Sequence, residues 1–155
     1  MKKFSLISLL LFGSSLFAAV AFPPACRGVS GIAEQWVFKG KKQQLYLVTN
    51  TSKHTIWLTH TKKDPGASAG WASQLAPNQW SALAMDRVGF VFDCTESKPG
   101  HEQRVACQDV LAVCLQSATF PAKLPGAFWV AENLPLDQLL SSVEQRGIVL
   151  GDKKS

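Results

Sequence analysis

The residues able to do chemistry in this chain are few and far apart. Three histidines (His54, His60 and His101), four cysteines and 11 acidic side chains make up the reactive inventory. On a strand reading His54 and His60 share a face, but six residues at about 3.3 Å each separate them by roughly 20 Å, too far to hold one metal ion. His101 stands beside Glu102 in a turn-rich stretch, where it could serve as a base or simply be solvated. The cysteines lack the paired spacing of a zinc site. There is no G-x-S-x-G elbow, no H-E-x-x-H and no phosphate-cradling glycine loop, since "GVSG" at Gly28–Gly31 is too short. Paired carboxylates for sugar hydrolysis announce no spacing, and the acidic residues here are scattered. The expectation is a protein without catalytic residues, metal or cofactor.

Aromatic and basic residues are the remaining candidates, and their chemistry is contact with a partner. Tyr46, Trp57, Trp71 and Trp80, with Lys62, Lys63 and His101, form that set. The formal charge is +5, and setting aside Lys2 and Lys3 of the leader leaves +3. The positives are spread out, with small groups at Lys39, Lys41, Lys42 and at Lys62, Lys63. That is a mildly basic, solvated surface and not a nucleic-acid stripe.

The N-terminus says where such contacts would be made. Lys2 and Lys3 precede an apolar run from Phe4 to about Val20, and Ala19-Val20-Ala21 has the small-x-small form accepted by signal peptidase. Pro23-Pro24 would stop an apolar helix. The alternative, an uncleaved anchor, needs roughly 17 or more apolar residues, and this run is near that limit with a cleavage pattern at its end. Cys26 lacks the preceding leucine of a lipobox. Residues 1–21 are therefore read as a cleaved signal peptide, residues 22–150 as one domain and 151–155 as a frayed tail, in a periplasmic or secreted protein with no membrane anchor after cleavage.

All four cysteines, Cys26, Cys94, Cys107 and Cys114, lie in the exported part, and an even number in an oxidising compartment argues for two disulfides. "RVGFVFDC" and "RVACQDVLAVC" read as strands joined by "TESKPGHEQ". A hairpin centred near Gly100-His101 sets Cys94 opposite Cys107 and leaves Cys26 to reach Cys114. Each bridge contributes about 2–4 kcal/mol, chiefly by restricting the unfolded chain.

The elements that must position these residues are mostly strands. In "QQLYLVTNTSKHTIWLTH", a turn at Asn50–Lys53 with Thr49 opposite His54 matches Leu47 to Ile56 and Leu45 to Leu58 on one face. The same register matches Tyr46 to Trp57 and Val48 to Thr55 on the other, a mixed aromatic face either covered or open to a partner. "NTS" in this turn also fits a glycosylation acceptor, but the turn alone explains it. In "GWASQLAPNQWSALAM", Pro77-Asn78 fits a tight turn pairing Leu75 with Trp80. Trp71, Leu75, Trp80, Ala82 and Ala84 then share a face, and large rings against alanines read as packed core, with a docking platform as the alternative. Further strands are expected at Val88–Cys94, Arg104–Gln116 and Gly126–Ala131. One helix follows, capped by Asn133 or Leu134, with the stripe Leu136, Leu139, Leu140, Val143 and a stop at Gly147. The fold class expected is mainly β: a disulfide-stapled antiparallel β-sandwich or partly open barrel with one C-terminal helix.

The stretches "CRGVSGIAEQW", "NTSKHTIWLTH", "ASAGWASQLAPNQWSALAMDR" and "VACQDVLAVC" resemble the enhanced-entry protein B family of intracellular bacteria such as Legionella and Coxiella. The resemblance spans nearly all of the exported chain. It implies a small envelope protein linked to host-cell entry and brings no catalytic residues to carry over. The expected function is that of a non-enzymatic periplasmic or envelope binding or adaptor protein. Its partner would be another envelope protein or the cell wall, met through Lys62–Ala69 or Thr95–Gln103. An inhibitor of an envelope or host hydrolase is the alternative, and a hydrolase with unannounced carboxylates the third reading.

Overall fold

Every residue from Leu45 to Asn50 is buried, which a strand achieves only when both of its faces are covered. The rest of the molecule is arranged around that strand. The structure, a computed structural model, describes residues 20–29, 36–38, 43–60, 72–85, 90–122 and 127–151, with 36–38, His60, Phe90 and Val91 described by backbone alone. In chain order the elements are β1 (Cys26–Gly28), β2 (Trp36–Phe38), β3 (Gln44–Asn50), β4 (Thr55–His60), β5 (Ala72–Leu75), β6 (Trp80–Met85), β7 (Phe90–Lys98) and β8 (His101–Val105). Then come α1 (Cys107–Val110), β9 (Leu111–Gln116), β10 (Ala118–Thr119), β11 (Ala127–Leu134), α2 (Leu136–Gln145) and β12 (Val149–Leu150). A first antiparallel sheet has the order β1-β9-β3-β6-β11, and a second the order β2-β7-β4-β5. β8 also pairs with β7, further along it than β2, and β10 pairs with β12 in a short ribbon. The expected antiparallel sandwich is what forms, and neither sheet closes into a barrel.

The first sheet serves two cores. Tyr46, Val48, Leu83, Met85 and Val113 point from it toward Ile56, Leu58, Leu75, Phe92 and Cys94 of the second sheet. Leu45, Leu47, Trp80, Ala82, Ala84 and Cys114 cover its other face, where Leu139 and Val143 of α2 and Ile148 pack. Burying each such aliphatic side chain contributes about 1.5–3 kcal/mol. The stripe on α2 therefore falls as its spacing predicts, with Leu136 and Leu140 at the margin of the same cluster. Gly147, at φ 79°, ends the helix in the left-handed region. Asn133 does not cap α2. Pro135 holds that position, while Asn133 takes φ 51° and its Oδ1 accepts the Ala76 N–H at 2.8 Å.

Neither of the two expected hairpins at 43–60 and 70–85 exists. β3 pairs with β6 and β9 in the first sheet, and β4 pairs with β5 and β7 in the second. The two segments together make one long ribbon, β4 against β5 and β3 against β6, bent once so that each arm passes from one sheet to the other. The Pro77-Asn78 turn is present, with Asn78 at φ 59° and Gln79 N–H bonded to Ala76 O at 3.1 Å. It turns the chain between sheets instead of folding Leu75 onto Trp80. Local register satisfied both faces of the imagined hairpins, but the continuous apolar run of β3 needs two covered faces and two full-length neighbours.

Asn50 pins this corner. Its Nδ2 donates to His54 O at 2.7 Å and to Leu75 O at 2.8 Å, and its Oδ1 accepts from Ser52 N and Ser52 Oγ, both at 2.8 Å. Its main chain donates to Gln79 O and accepts from Asn78 N–H. Thr51 N–H reaches Val110 O at 2.9 Å, so the crossing from β8 to β9 through α1 meets the β3–β4 and β5–β6 crossings here.

The structure joins Cys26 to Cys114 and Cys94 to Cys107. The register around the second bridge differs from the one anticipated. Cys94 lies opposite Val105 and the turn is at Pro99-Gly100, while Cys107 stands past the strand in α1. The anticipated continuous strand 104–116 is broken there because the chain is changing sheets. Of the expected tail, Gly151 alone is described and bonds Ser117 O, and of the expected signal peptide, Val20 and Ala21 alone.

Two substitutions of opposite sign test this account by urea unfolding. Asn50→Ala leaves buried carbonyls without a donor and should cost about 3 kcal/mol. Ser73→Ala removes a buried hydroxyl without a partner among the described residues and should be neutral or stabilising by up to about 1 kcal/mol.

Candidate functional site

The bent ribbon separates the aromatic residues that the sequence had placed together. Tyr46 faces the space between the sheets at 5% exposure. Trp80 lies on the far side of the first sheet, its ring edge-on to Phe22 with centroids 6.4 Å apart. Trp57 sits on the second sheet, so the shared Tyr46–Trp57 face does not form, and Leu75 and Trp80 belong to different cores. Trp80 is core, not platform. Trp71, Lys62 and Lys63, with the stretch Lys62–Ala69, lie outside the described residues. His101 is exposed opposite Lys98 at the end of the β7–β8 ribbon, and Thr95–Gln103 is two strands with a two-residue turn instead of a loop. His54 contributes its carbonyl to the Asn50 corner.

Of the candidates, Trp57 is the one left on a face that no described element covers. Strand alternation sends Ile56 and Leu58 inward and Thr55, Trp57 and Thr59 outward. Registers then give one row across the sheet: Gln74 beside Trp57, Trp57 beside Thr95, Thr95 beside Arg104. Neighbouring rows add Thr55, Ser97 and Glu102 on one side and Thr59 with Asp93 on the other. Arg104 is ion-paired with Asp93 across these rows, which sets its guanidinium beside Thr95. The result is a half-buried indole in a flat field of hydroxyls and the Gln74 amide, with the Arg104–Asp93 ion pair and the Glu102 carboxylate around it. Such a face binds by stacking and hydrogen bonding.

Arg104 and Gln74 were not singled out in the sequence, and Thr95 only as the first residue of the expected binding stretch Thr95–Gln103. No periodicity could find them, because they meet Trp57 only through long-range pairing. Among the described residues no group of three or more His, Cys, Asp or Glu is arranged to hold a metal, and all four cysteines are in disulfides. No described helix is long and apolar enough to cross a membrane, and the two disulfides are consistent with an oxidising, non-cytoplasmic compartment.

No family model, curated protein or solved structure matches the chain. Its class is therefore the one its own architecture defines: an antiparallel β-sandwich stapled by two disulfides, with a helix against the outer face of one sheet.

Tyr46 is the only tyrosine in the chain, which makes the inner face of the first sheet directly observable. Burial raises its phenol above the ordinary value of 10.0, and the charge of Arg27 partly offsets this. The folded phenol thus ionises later than the unfolded one. The stability it confers is complete below pH 10 and declines as the pH rises from there through the raised value. Near-ultraviolet absorbance of the folded protein should show tyrosinate appearing only above the ordinary midpoint, and a midpoint at or below it would contradict the burial.

Proposed function

We propose that this protein is an exported, non-enzymatic binding or adaptor module of the bacterial envelope, whose docking face is the outer side of the second sheet around Trp57. The observation that carries the reading is the row Gln74–Trp57–Thr95–Arg104: an aromatic anchor, polar neighbours and a guanidinium on one rigid, disulfide-stapled sheet. A preorganised face of this kind loses little side-chain freedom on binding. The resemblance to the enhanced-entry protein B family supports an envelope setting, periplasmic or secreted, and a part in entry into host cells. The partner on this reading is another envelope protein or the cell wall.

A second reading, an inhibitor of an envelope or host hydrolase, is favoured by the β7–β8 ribbon. Its residues 99–104 are exposed, Gly100 takes φ 72° in the turn, and Cys94–Cys107 clamps its base. A one-to-one complex that abolishes a hydrolase's activity, and is lost when residues 99–102 are replaced, would select this reading.

Crosslinking in living cells separates the outcomes. Wild-type protein should capture one envelope component through residues of β4, β7 and β8. Trp57→Ala should reduce capture at least about tenfold, the effect of losing an aromatic anchor, while shifting the unfolding free energy by no more than about 1 kcal/mol. Unchanged capture by the folded variant would overturn the proposed face.

A further inference from the structure

A second feature lies at the other end of the first sheet and is independent of the Trp57 face. The ends of β1, β3 and β9 enclose a cleft of about 360 Å³, walled by Ala25, Arg27, Gln44, Leu115, Gln116 and Ser117 among others, with no acidic side chain among the described residues of its lining. A neighbouring hollow of about 570 Å³ shares Ala25 and Arg27 and is bounded by Phe22, Pro23 and Pro24. Arg27 is exposed and has no carboxylate partner among the described residues. It stands opposite Leu115, which stands opposite Tyr46. The Tyr46 hydroxyl donates to Gln44 Oε1 at 2.8 Å, so the Gln44 amide has its NH₂ left to give. Gln116 is 4% exposed; its Nε2 donates to Pro24 O and Ser117 O, and its Oε1 has no partner among the described residues.

The inventory is therefore a guanidinium fork, one amide donor and one acceptor without a donor among the described residues, on a polar wall that opens beside an apolar one. The geometry points to a binding site for the C-terminal end of a peptide: carboxylate on Arg27 and Gln44, the adjacent amide N–H toward Gln116 Oε1, and a small apolar side chain against Phe22 and Pro23. An inorganic anion would engage the donors and leave Gln116 Oε1 unanswered. A guanidinium pairs with a carboxylate through two parallel hydrogen bonds, which fixes the orientation of the chain end.

The wall is held before any ligand arrives. Cys26–Cys114 ties β1 to β9, Ser117 N–H bonds Ala25 O at 3.1 Å, and Cys26 N–H closes a turn on Pro23 O at 3.1 Å. Ala25 sits in that turn at φ 57°, a left-handed conformation that costs a residue with a Cβ some free energy. Gly28, one strand pair away, leaves room for the Phe22 ring, which a Cβ there would meet at 3.0 Å.

Two sources share this chemistry, the carboxylate-ended stem peptide of bacterial wall and the C-terminus of a protein, and calorimetric titration of the exported protein can tell them apart. The probes are acetyl-D-Ala-D-Ala, acetyl-L-Ala-L-Ala and the C-terminal amide of each. At least one free acid should bind, with its amide weaker by about tenfold or more, the loss expected for a charge-assisted pair. Arg27→Gln should weaken binding by a similar factor at unchanged melting temperature, and Arg27→Lys by less. Preference for the D,D peptide assigns the wall stem, and preference for the L,L peptide assigns a protein C-terminus. Equal binding of both upholds the carboxylate and amide recognition. No binding of either acid at millimolar concentration, equal binding of acid and amide, or full binding by Arg27→Gln would each overturn the proposal. Trp57→Ala should leave these titrations unchanged, so failure here and failure of the sheet-face reading are separately visible.

Discussion

A single buried carboxamide decides how the central bent ribbon crosses between the two sheets. Asn50 ends β3 in the first sheet, and its side chain reaches the carbonyls of His54 and Leu75, at the edges of β4 and β5 in the second. Where strands leave one ladder to join another, their N–H and C=O groups lose regular partners, and in a buried corner each loss costs about 1–3 kcal/mol. Asn50 supplies two donors and an acceptor at that point, while its main chain ties in Asn78 and Gln79. The neighbouring Thr51 ties in Val110. Three of the chain's six passages between the sheets, β3 to β4, β5 to β6 and β8 to β9, are thus joined through two adjacent residues.

From that corner the division of surfaces follows. The first sheet has a core on each face: one shared with the second sheet, and one filled by α2, Ile148 and the Phe22–Trp80 contact. Its faces are spent on stability. The second sheet gives only its inner side to the core, and its outer side carries Trp57 among polar residues. The disulfides follow the same division. Cys94–Cys107 lies in the core between the sheets, and Cys26–Cys114 secures the edge strand on the helix side. A scaffold braced in both layers can present an open face and an end cleft without either having to order itself on binding.

The two candidate sites differ in kind. The Trp57 face is flat, with its one guanidinium already paired to Asp93, and suits an extended surface. The cleft at Arg27 is concave, with a cation that has no carboxylate partner among the described residues beside a buried acceptor, and suits the end of a chain. Neither could be read from residue spacing. Arg27 and Gln116 are distant in sequence and meet through pairing of the N-terminal strand, just as Trp57 meets Arg104 only through β7.

What the sequence determined by itself is whatever depends on neighbours along the chain. The period-two alternation of β4, the i, i+3, i+4, i+7 stripe of α2, the Pro77-Asn78 turn and the stop at Gly147 all lie where local chemistry puts them. An even set of cysteines likewise made two disulfides the natural reading. What the tertiary structure decided was partnership. A strand with one apolar face accepts any register that matches the faces, so the hairpins imagined for 43–60 and 70–85 were locally consistent. The continuous apolar run Leu45–Val48 could not be satisfied by one neighbour and one covered face. Only burial between two full-length strands and two cores satisfies it, and that long-range demand moved β4 and β5 to the other sheet, parted Tyr46 from Trp57 and created both candidate sites.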